Sequence, residues 1–246
     1  MKINVINPNT CLAMTDKIAT SALSVANPGT EIMACSPLHG PESIECMRDE
    51  VLASAALLDV IAEGEARQVD GHIIACFGDP GCDAAKEIAL APVIGIAQAA
   101  FHFASLVSHR FSIVTTLSRT IPMAEHLLAK YGFAHQCVSI RAAEVEVLSL
   151  ETISDSLFID LKQECLKAIE EDHCEAIVLG CAGMSDIAER LQLELSIPVI
   201  DGVVAAVKLL ESLYCLNLKT SKSFIYSEPP QKHFSGRYAH WSKLRE

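Results

Sequence analysis

The sequence is short of positive charge. Its 246 residues include 19 Lys and Arg against 31 Asp and Glu, which gives a formal net charge of −12 at pH 7. Proteins that bind nucleic acid or an anionic membrane surface need a basic patch or stripe. The composition therefore predicts a protein that has neither a nucleic-acid partner nor a membrane partner.

Long apolar runs are also nearly absent. Residues 88–107 form twenty positions without a charged side chain, which is the length of a membrane span. Pro92, Gly95 and Gln98 interrupt this stretch, and residues 92–95 are typical of a short strand between two helices. The N-terminus passes straight into a strand pattern, without an apolar leader or cleavage site. We therefore interpret the stretch as buried α/β structure.

The ten cysteines lack the tight spacings of metal sites and disulfide frameworks. No Cys-x-x-Cys motif and no ligand-spaced histidine pair occurs. The cysteines are therefore predicted to be free thiols in a reducing, cytoplasmic environment. A thiolate metal site is the least favoured interpretation. No glycine-rich phosphate-binding fingerprint is present either, so we expect no metal and no organic cofactor.

Two apolar segments each end in a cysteine that is followed by small residues. Residues 72–79 and 176–184 are typical of buried parallel strands whose carboxyl ends carry Cys76 and Cys181. Ligands of open α/β sheets bind beyond the carboxyl ends of the strands. The pattern therefore puts both thiols where chemistry is expected, whereas the other eight cysteines are predicted to be small apolar core residues.

The two halves of the chain repeat one pattern. Cys76 and Cys181 are 105 positions apart, and the Pro-Val-Ile segments that begin at Pro92 and Pro198 are 106 positions apart. A repeat of this kind indicates a duplicated β-α-β unit. Two copies related by a pseudo-twofold axis would turn their strand ends towards one shared cleft.

We therefore expect an α/β fold with two pseudo-symmetric lobes. Each lobe should be a mainly parallel sheet flanked by helices (flavodoxin-like), with the active site in the cleft between them. Lobe 1 is predicted to comprise residues 1–97 and 206–246, and lobe 2 residues 98–205. The Gly- and Pro-containing loop at residues 36–43 is predicted to form a lid or pocket rim. The polar tail from residue 219 should pack on the surface or against another subunit, and we expect a homo-oligomer.

Two thiols on opposite sides of one substrate suit the inversion of a carbon centre beside a carbonyl. One group removes the proton from one face, and the other returns a proton to the opposite face. A modest pKa shift changes the state of a thiol near neutral pH, and we expect the helix N-terminus after each cysteine to lower its pKa. The backbone N–H groups of Phe77, Gly78, Ala182 and Gly183 are expected to donate to the developing enolate oxygen.

Four ordered motifs resemble the aspartate/glutamate racemase superfamily, specifically its hydantoin and allantoin racemase branch. They lie at residues 7–10, 40–45, 76–79 and 180–184. The similarity covers roughly residues 2–226, and four motifs in order make it specific. The resemblance implies a two-lobed α/β fold and cofactor-free catalysis in which a cysteine pair serves as acid and base. By position, that pair is Cys76 and Cys181.

The same resemblance implies which other residues lie near the substrate. They are Asn9, Ser43, Ile44, Gly78, Thr116 and Gly183. Asp79 is a further candidate, either to bind a ring N–H or to orient a thiol. Pro80 follows Asp79, however, and this pair is typical of a helix N-cap with proline at the first helical position, so capping is the favoured role.

The chain departs from the amino-acid racemases of that superfamily beside both cysteines. Those enzymes have Asn-Thr after the first cysteine and Thr-His after the second, and these side chains hold the carboxylate and the amine. Here the positions are Phe77-Gly78 and Ala182-Gly183, which suit a small neutral ring amide better than a zwitterion. We therefore expect a 5-substituted hydantoin, and allantoin first, because Ser43 and Asn9 suit its polar substituent.

Other functions of the same scaffold stay open. An arylmalonate decarboxylase needs only one protonating cysteine, so Cys181 argues against it. A maleate isomerase would surround its dianionic substrate with more polar side chains. A non-catalytic, two-lobed small-molecule binding protein would leave both cysteines without a role. The racemase hypothesis requires that both sulfurs reach one cavity.

Overall fold

The computed structural model describes residues 1–243, in which strands and helices alternate along the chain. The first half contains β1 (Lys2–Ile6), α1 (Leu12–Val25), β2 (Glu31–Cys35), α2 (Met47–Ala66), β3 (Gly71–Ile74), α3 (Cys82–Ile88), β4 (Val93–Gly95) and α4 (Ile96–Val107). The second half contains β5 (Phe111–Thr115), α5 (Ile121–Tyr131), β6 (Cys137–Ala142), α6 (Asp155–Glu170), β7 (Ala176–Leu179), α7 (Ala188–Leu195), β8 (Val199–Ile200) and α8 (Gly202–Cys215). Two 3₁₀ segments, Val147–Glu151 and Ala182–Ile187, follow β6 and β7.

Each half of the chain forms one parallel, four-stranded sheet. The first sheet has the order β2-β1-β3-β4, and the second has the order β6-β5-β7-β8. The two orders are the same when the strands of each half are numbered from its first strand, which is the topology expected of a duplicated unit. The predicted α/β fold with two lobes of parallel sheet and flanking helices is therefore confirmed.

The strands that lead to the two cysteines are buried along their whole length. Every residue of β3 and of β7 is buried, and helices cover both faces of each sheet. Parallel strands in this environment consist of nearly continuous apolar runs, which is why both strands were recognisable in the sequence. Their burial fixes the positions from which Cys76 and Cys181 emerge.

The helix after the fourth strand of each half packs against the other half. Ala97, Phe101 and Ala104 of α4 join one apolar cluster with Phe111 of the second sheet. Likewise, α8 of the second half packs on β3 and β4 of the first sheet and on α1, and it also contacts α4. The predicted lobe boundaries at residues 97/98 and 205/206 fall inside α4 and α8, and the division into lobes at these positions stays a prediction.

A glycine makes the contact between α8 and the first sheet possible. A Cβ atom at Gly71 of β3 would lie 1.9 Å from Cδ2 of Leu210 on α8. Backbone approach this close is one of the reasons for glycine inside a strand. Any larger residue there would push α8 away from the sheet.

The helix starts after both cysteines differ from the prediction. The predicted helix at Asp79-Pro80 begins only at Cys82, after Gly81 in the left-handed conformation. After Cys181, where a helix N-terminus was expected, the chain first forms the 3₁₀ segment Ala182–Ile187 and becomes α-helical only at Ala188. The turns that carry the cysteines are therefore longer than the sequence pattern indicated.

The tail from residue 219 packs on α3 and α2. Lys222 Nζ donates to the carbonyl oxygens of Lys86 and Glu87, at 2.7 and 2.9 Å. The Tyr226 hydroxyl donates to Asp83 at 2.9 Å. The tail thus covers the surface of its own chain, and contact with another subunit stays a prediction. No helix within residues 1–243 combines the length and the apolar character needed to cross a membrane.

A buried polar network joins α2 to the first sheet. His72 of β3 is fully buried, and its Nε2 lies 3.0 Å from Oε1 of Glu65 on α2. Glu65 also accepts hydrogen bonds from the backbone N–H groups of Leu90 and Ala91, at 2.8 and 3.2 Å. Burial acts to raise the pKa of Glu65, but the hydrogen bonds from His72 and the two N–H groups hold this pKa below its ordinary value.

We expect Glu65→Gln to lower the free energy of unfolding at pH 7 by about 1–3 kcal/mol, because buried donors lose a charged acceptor. The folded-state pKa of Glu65 is below the unfolded value, so this contribution is present above the unfolded pKa and is lost as the pH falls through the folded pKa. Urea unfolding at pH 7 and near pH 4 measures the difference. Glu63→Gln, on the exposed side of the same helix, is the control and should change stability by less than about 0.5 kcal/mol. Equal losses in the two variants would contradict this role of Glu65.

Candidate active site

The ends of β3 and β7 bring Cys76 and Cys181 to one cavity between the two lobes. The cavity has a volume of about 60 Å³ and is lined by residues 75–78 of the first half and 180–183 of the second. The racemase hypothesis requires such a shared cavity, because a pair of thiols in separate pockets cannot act on one substrate.

Most of the predicted substrate-binding residues lie on this lining. Those that line the cavity are Asn9, Ile44, Gly78, Thr116 and Gly183. Ser43 and Asp79 do not line it. The roles of all seven residues stay predictions.

Residues that line the cavity occur in matching pairs, with one member of each pair in each lobe. A Cβ atom at Gly78 would lie 3.4 Å from Cε of Met123, and one at Gly183 would lie 3.1 Å from Cε of Met14. Met14 belongs to α1 and Met123 to α5, the first helix of each half. The turn after each cysteine is therefore covered by a helix of the opposite lobe, and neither lobe forms the cavity alone.

Five lining residues were missed in the sequence. They are Met14, Thr120, Met123, Ala124 and Val147, which come from α1, from α5 and the turn before it, and from a 3₁₀ segment rather than from strand ends. One signal for Met123 exists, because it lies 109 positions after Met14, close to the spacing of the repeat. Val147 lies 103 positions after Ile44, which is also close to the spacing of the repeat, although its 3₁₀ segment has no 3₁₀ counterpart in the first half.

Burial dominates the electrostatics of both thiols. It raises the pKa of Cys76 to about 12 and that of Cys181 to about 11. A hydrogen bond from the backbone N–H of Gly78 lowers the pKa of Cys76, and the N–H of Gly183 does the same for Cys181. The prediction that a helix N-terminus lowers both pKa values is therefore wrong. The helices begin several residues later, and desolvation outweighs the nearby N–H donors.

Asp79 fastens the Cys76 turn to the start of α4. Its Oδ1 accepts a hydrogen bond from the N–H of Ala97 at 3.0 Å, and its Oδ2 accepts from the N–H of Gln98 and the hydroxyl of Tyr131, both at 2.9 Å. Both oxygens thus have partners within the protein, away from the cavity lining. Asp79 does cap a helix, as favoured, but that helix is α4 rather than the one at Pro80. Burial raises the pKa of Asp79 to about 6 in spite of these donors.

The second lobe contains a matching carboxylate. Oδ1 of Asp201 accepts hydrogen bonds from the N–H of Val203 at the start of α8, at 2.8 Å, and from the Ser185 hydroxyl at 2.9 Å. Ser185 lies four residues after Cys181, so this contact fastens the second cysteine turn as well. Burial raises the pKa of Asp201 to about 6. Each lobe therefore uses a buried carboxylate to hold its cysteine turn against the helix that follows its fourth strand, α4 or α8.

Contacts between the lobes close the cavity. The backbone N–H of Val147 donates to Oε1 of Glu45 at 2.8 Å, and the Cys11 thiol donates to Oε1 of Glu151 at 3.0 Å. Val147 and Glu151 bound the 3₁₀ segment of the second lobe, whereas Glu45 and Cys11 belong to the first. The segment Val147–Glu151 therefore covers the cavity.

The loop at residues 36–43, predicted as a lid or rim, lies elsewhere. Residues 36–39 line a separate groove together with Cys35 and Arg67, and only Ile44, which follows the loop, reaches the cavity. No residue of this loop lines the cavity, and its role as a lid or pocket rim stays a prediction. All ten cysteines are free, and no cluster of three or more metal-ligating side chains occurs within residues 1–243.

The sequence matches known proteins along nearly its whole length. A family model described as Asp/Glu/Hydantoin racemase matches residues 3–210. A hydantoin racemase of Pseudomonas sp. (strain NS671) is 46% identical over 236 residues, which cover 96% of this chain and 95% of that protein.

Two solved structures agree closely with the fold. The allantoin racemase from Klebsiella pneumoniae superposes with a TM-score of 0.96 at 50% identity and covers 98% of each chain. The allantoin racemase from Pseudomonas fluorescens has a TM-score of 0.92 at 38% identity, covering 96% of this chain and 100% of that one. Arylmalonate decarboxylase, at 14% identity, and the maleate isomerase from Pseudomonas putida S16, at 18%, share the fold alone.

We expect Tyr131→Phe to lower the free energy of unfolding at pH 8 by about 1.5–3 kcal/mol, because ionised Asp79 loses a hydroxyl donor. Asp79 has a pKa of about 6, so its ionised fraction and the loss are both smaller at pH 5. The same raised pKa means that Asp79 contributes stability below its unfolded pKa, and that this contribution is lost as the pH rises through 6. Urea unfolding of both proteins at the two pH values measures the effect.

The matched control for this experiment is Tyr214→Phe, because Tyr214 is 51% exposed on α8. This variant should unfold like the parent at both pH values. A loss in Tyr131→Phe that does not change between pH 5 and pH 8 would show that the hydroxyl does not serve the ionised carboxylate.

Proposed function

Because the chain belongs to the Asp/Glu/hydantoin racemase family, we propose that it inverts C5 of a hydantoin ring, with allantoin as the preferred substrate. One observation carries this proposal: two cysteines, one from each lobe, line a single cavity. The cavity lining within residues 1–243 includes no Asp, Glu, Lys or Arg. A neutral ring fits such a lining, because a charged substrate would lose its hydration without gaining a counter-charge.

The two thiols supply the acid and the base. One cysteine, as the thiolate, removes the C5 proton from one face of the ring, and the other, as the thiol, gives its proton to the opposite face. The charge ends on the second sulfur, so the reaction is balanced without a further reactant. The N–H groups of Gly78 and Gly183 donate to the sulfurs themselves and so stabilise whichever thiolate is present, which differs from their expected role at the enolate oxygen.

Polar groups on both sides of the cavity are suited to hold the ring amides. Oδ1 of Asn9 already accepts hydrogen bonds from Asn7 Nδ2 at 2.8 Å and from the N–H of Cys11 at 2.9 Å. The remaining amide group of Asn9 is therefore a donor, suited to a ring carbonyl oxygen. Thr116 lines the cavity from the second lobe, and its hydroxyl can donate or accept. A ring that alternates carbonyl and N–H groups matches this pair.

The size of the cavity favours a small substituent at C5. A cavity of about 60 Å³ holds a few water molecules, so a substituted ring requires the covering segment to move. Ile44, Met123 and Val147 form apolar walls that restrict a bulky group. Allantoin, whose substituent is slender and polar, suits this space better than a benzyl-substituted hydantoin.

The setting of the enzyme is part of the same proposal. Ten free cysteines support a cytoplasmic location, in which thiols stay reduced. Phe224 and Ile225 of the tail are 92% and 70% exposed, which supports burial against a second copy in a homo-oligomer. Racemisation of allantoin would place the reaction in purine catabolism. An arylmalonate decarboxylase or a maleate isomerase is not favoured, since the relatives with high identity are hydantoin and allantoin racemases.

We expect Cys76→Ser and Cys181→Ser each to lower the rate of allantoin racemisation by at least about 10²-fold, because each removes an acid or base from one face. Loss of optical rotation from a single enantiomer, followed by circular dichroism, measures the rate. Cys215→Ser, which changes an exposed cysteine, is the control and should keep the parental rate. Full activity in either of the first two variants would exclude the two-thiol mechanism.

We expect Val147→Ala to raise kcat/KM for 5-benzylhydantoin relative to allantoin by several-fold, up to about tenfold, because it widens an apolar wall. The two substrates are compared by the same dichroism assay. Val145→Ala is the matched control, since Val145 lies two residues before the segment Val147–Glu151 and packs on the core instead of lining the cavity. An unchanged ratio in Val147→Ala would show that this wall does not select the C5 substituent.

A further inference from the structure

Lys17 of α1 reaches from the first lobe into the turn that carries Cys181. Its Nζ donates to the carbonyl oxygen of Gly183 at 3.2 Å and to that of Leu150, and it pairs with Asp186 at 2.9 Å. The Lys17 side chain is only 13% exposed, whereas that of Asp186 is 44% exposed. An exposed carboxylate is screened by solvent, so Asp186 offsets the buried ammonium charge incompletely.

The equivalent position of the second lobe carries an imidazole in place of an ammonium group. Lys17 lies three residues after Met14, which covers Gly183, and His126 lies three residues after Met123, which covers Gly78. His126 also faces Glu50 of α2, a carboxylate that opposes its charge. The two pseudo-symmetric halves of the site therefore differ in the side chain at this position, lysine on the Cys181 side and histidine on the Cys76 side.

The charged groups that face the two sulfurs differ in sign. Beyond burial, which raises both pKa values, Lys17 lowers the pKa of Cys181 and Glu45 raises it. Cys76 is faced by Cys181, Asp79 and Glu50, and all three raise its pKa. The result is a pKa of about 11 for Cys181 and about 12 for Cys76. Lys17 therefore lowers the pKa on the Cys181 side, whereas the groups that face Cys76 all raise its pKa.

We propose that Lys17 is a positioning residue that keeps the negative charge of the free enzyme on the Cys181 sulfur, so that Cys181 begins the reaction as the base and Cys76 as the acid. This assignment rests on the proposed racemase function. In one turnover Cys181 gains the C5 proton, and Cys76 loses its own proton to the opposite face. After product leaves, the charge is on Cys76. Lys17 then favours transfer of a proton back to Cys76, through solvent, which restores the starting state.

Thiol alkylation tests this proposal without any substrate. Cys76 and Cys181 are both partly exposed, so iodoacetamide can react with each thiolate, and mass spectrometry of the peptides gives the two rates separately. Across pH 7 to 12, the midpoint for Cys181, at about 11, should lie below that for Cys76, at about 12, in the parental protein. Lys17→Met should raise the Cys181 midpoint by about one pH unit and leave the Cys76 midpoint in place. Lys17→Arg should restore the parental Cys181 midpoint.

A second variant separates the charge of Lys17 from its structural contacts. Asp186→Asn removes the carboxylate that offsets the ammonium group but keeps that group in place, so the Cys181 midpoint should fall. A purely structural tie between the lobes predicts no such opposite shifts. If Lys17→Met does not fold, the direction of the shift in Asp186→Asn still shows whether the charge of Lys17 acts on Cys181. A Cys181 midpoint that is unmoved in both variants, or that moves in the same direction in both, overturns the proposal.

Activity distinguishes failure of this proposal from failure of the proposed function. In Lys17→Met, kcat/KM for allantoin should fall about tenfold at pH 7 and recover as the pH rises, because the thiolate returns. A loss that persists at every pH overturns the charge role while leaving the racemase function intact. If no hydantoin is racemised by the parental protein, the proposed function fails, and the alkylation midpoints still decide the role of Lys17.

Discussion

The structure depends on the burial of two thiols where two lobes meet. Burial raises the pKa of both Cys76 and Cys181, so either thiolate forms only if the protein compensates for lost water. The compensation comes from backbone N–H groups two residues after each cysteine. These groups stay in position because Asp79 and Asp201, both buried, fasten the two turns to α4 and α8. The sheets, turns and helix starts therefore serve one electrostatic requirement.

Duplication explains why the site is nearly symmetric, and the chemistry explains why it is not fully so. Each lobe contributes one strand-end cysteine, one glycine that contacts a methionine of the other lobe, and one buried carboxylate. A racemase that acts on both enantiomers of a substrate needs comparable acid and base groups on both faces of the ring. The two sulfurs also hold one proton between them in the free enzyme. The Lys17 ammonium group, which lies on the Cys181 side, decides which of the two sulfurs holds this proton.

The sequence reveals whatever depends on local pattern and misses whatever depends on distant contacts. The buried strands, the repeat and the strand-end cysteines follow from apolar runs and spacing. The role of Asp79 does not, because its carboxylate meets Tyr131, which is 52 positions away. The covering segment at Val147 was missed for the same reason, since its partner Glu45 lies 102 positions before it. The pKa of each cysteine was misjudged because desolvation is a property of the closed cavity rather than of the turn.

Racemisation in heavy water tests most directly whether one substrate lies between two different sulfurs. A single enantiomer of allantoin is allowed to react to low conversion. The two enantiomers are then separated, and the deuterium content at C5 of each is measured by mass spectrometry. We expect the product to carry a solvent deuteron from the first turnovers, because the sulfur that returns a proton is not the one that removed it. Product that keeps the substrate's own C5 hydrogen would show that a single base serves both faces, and would contradict the two-thiol site.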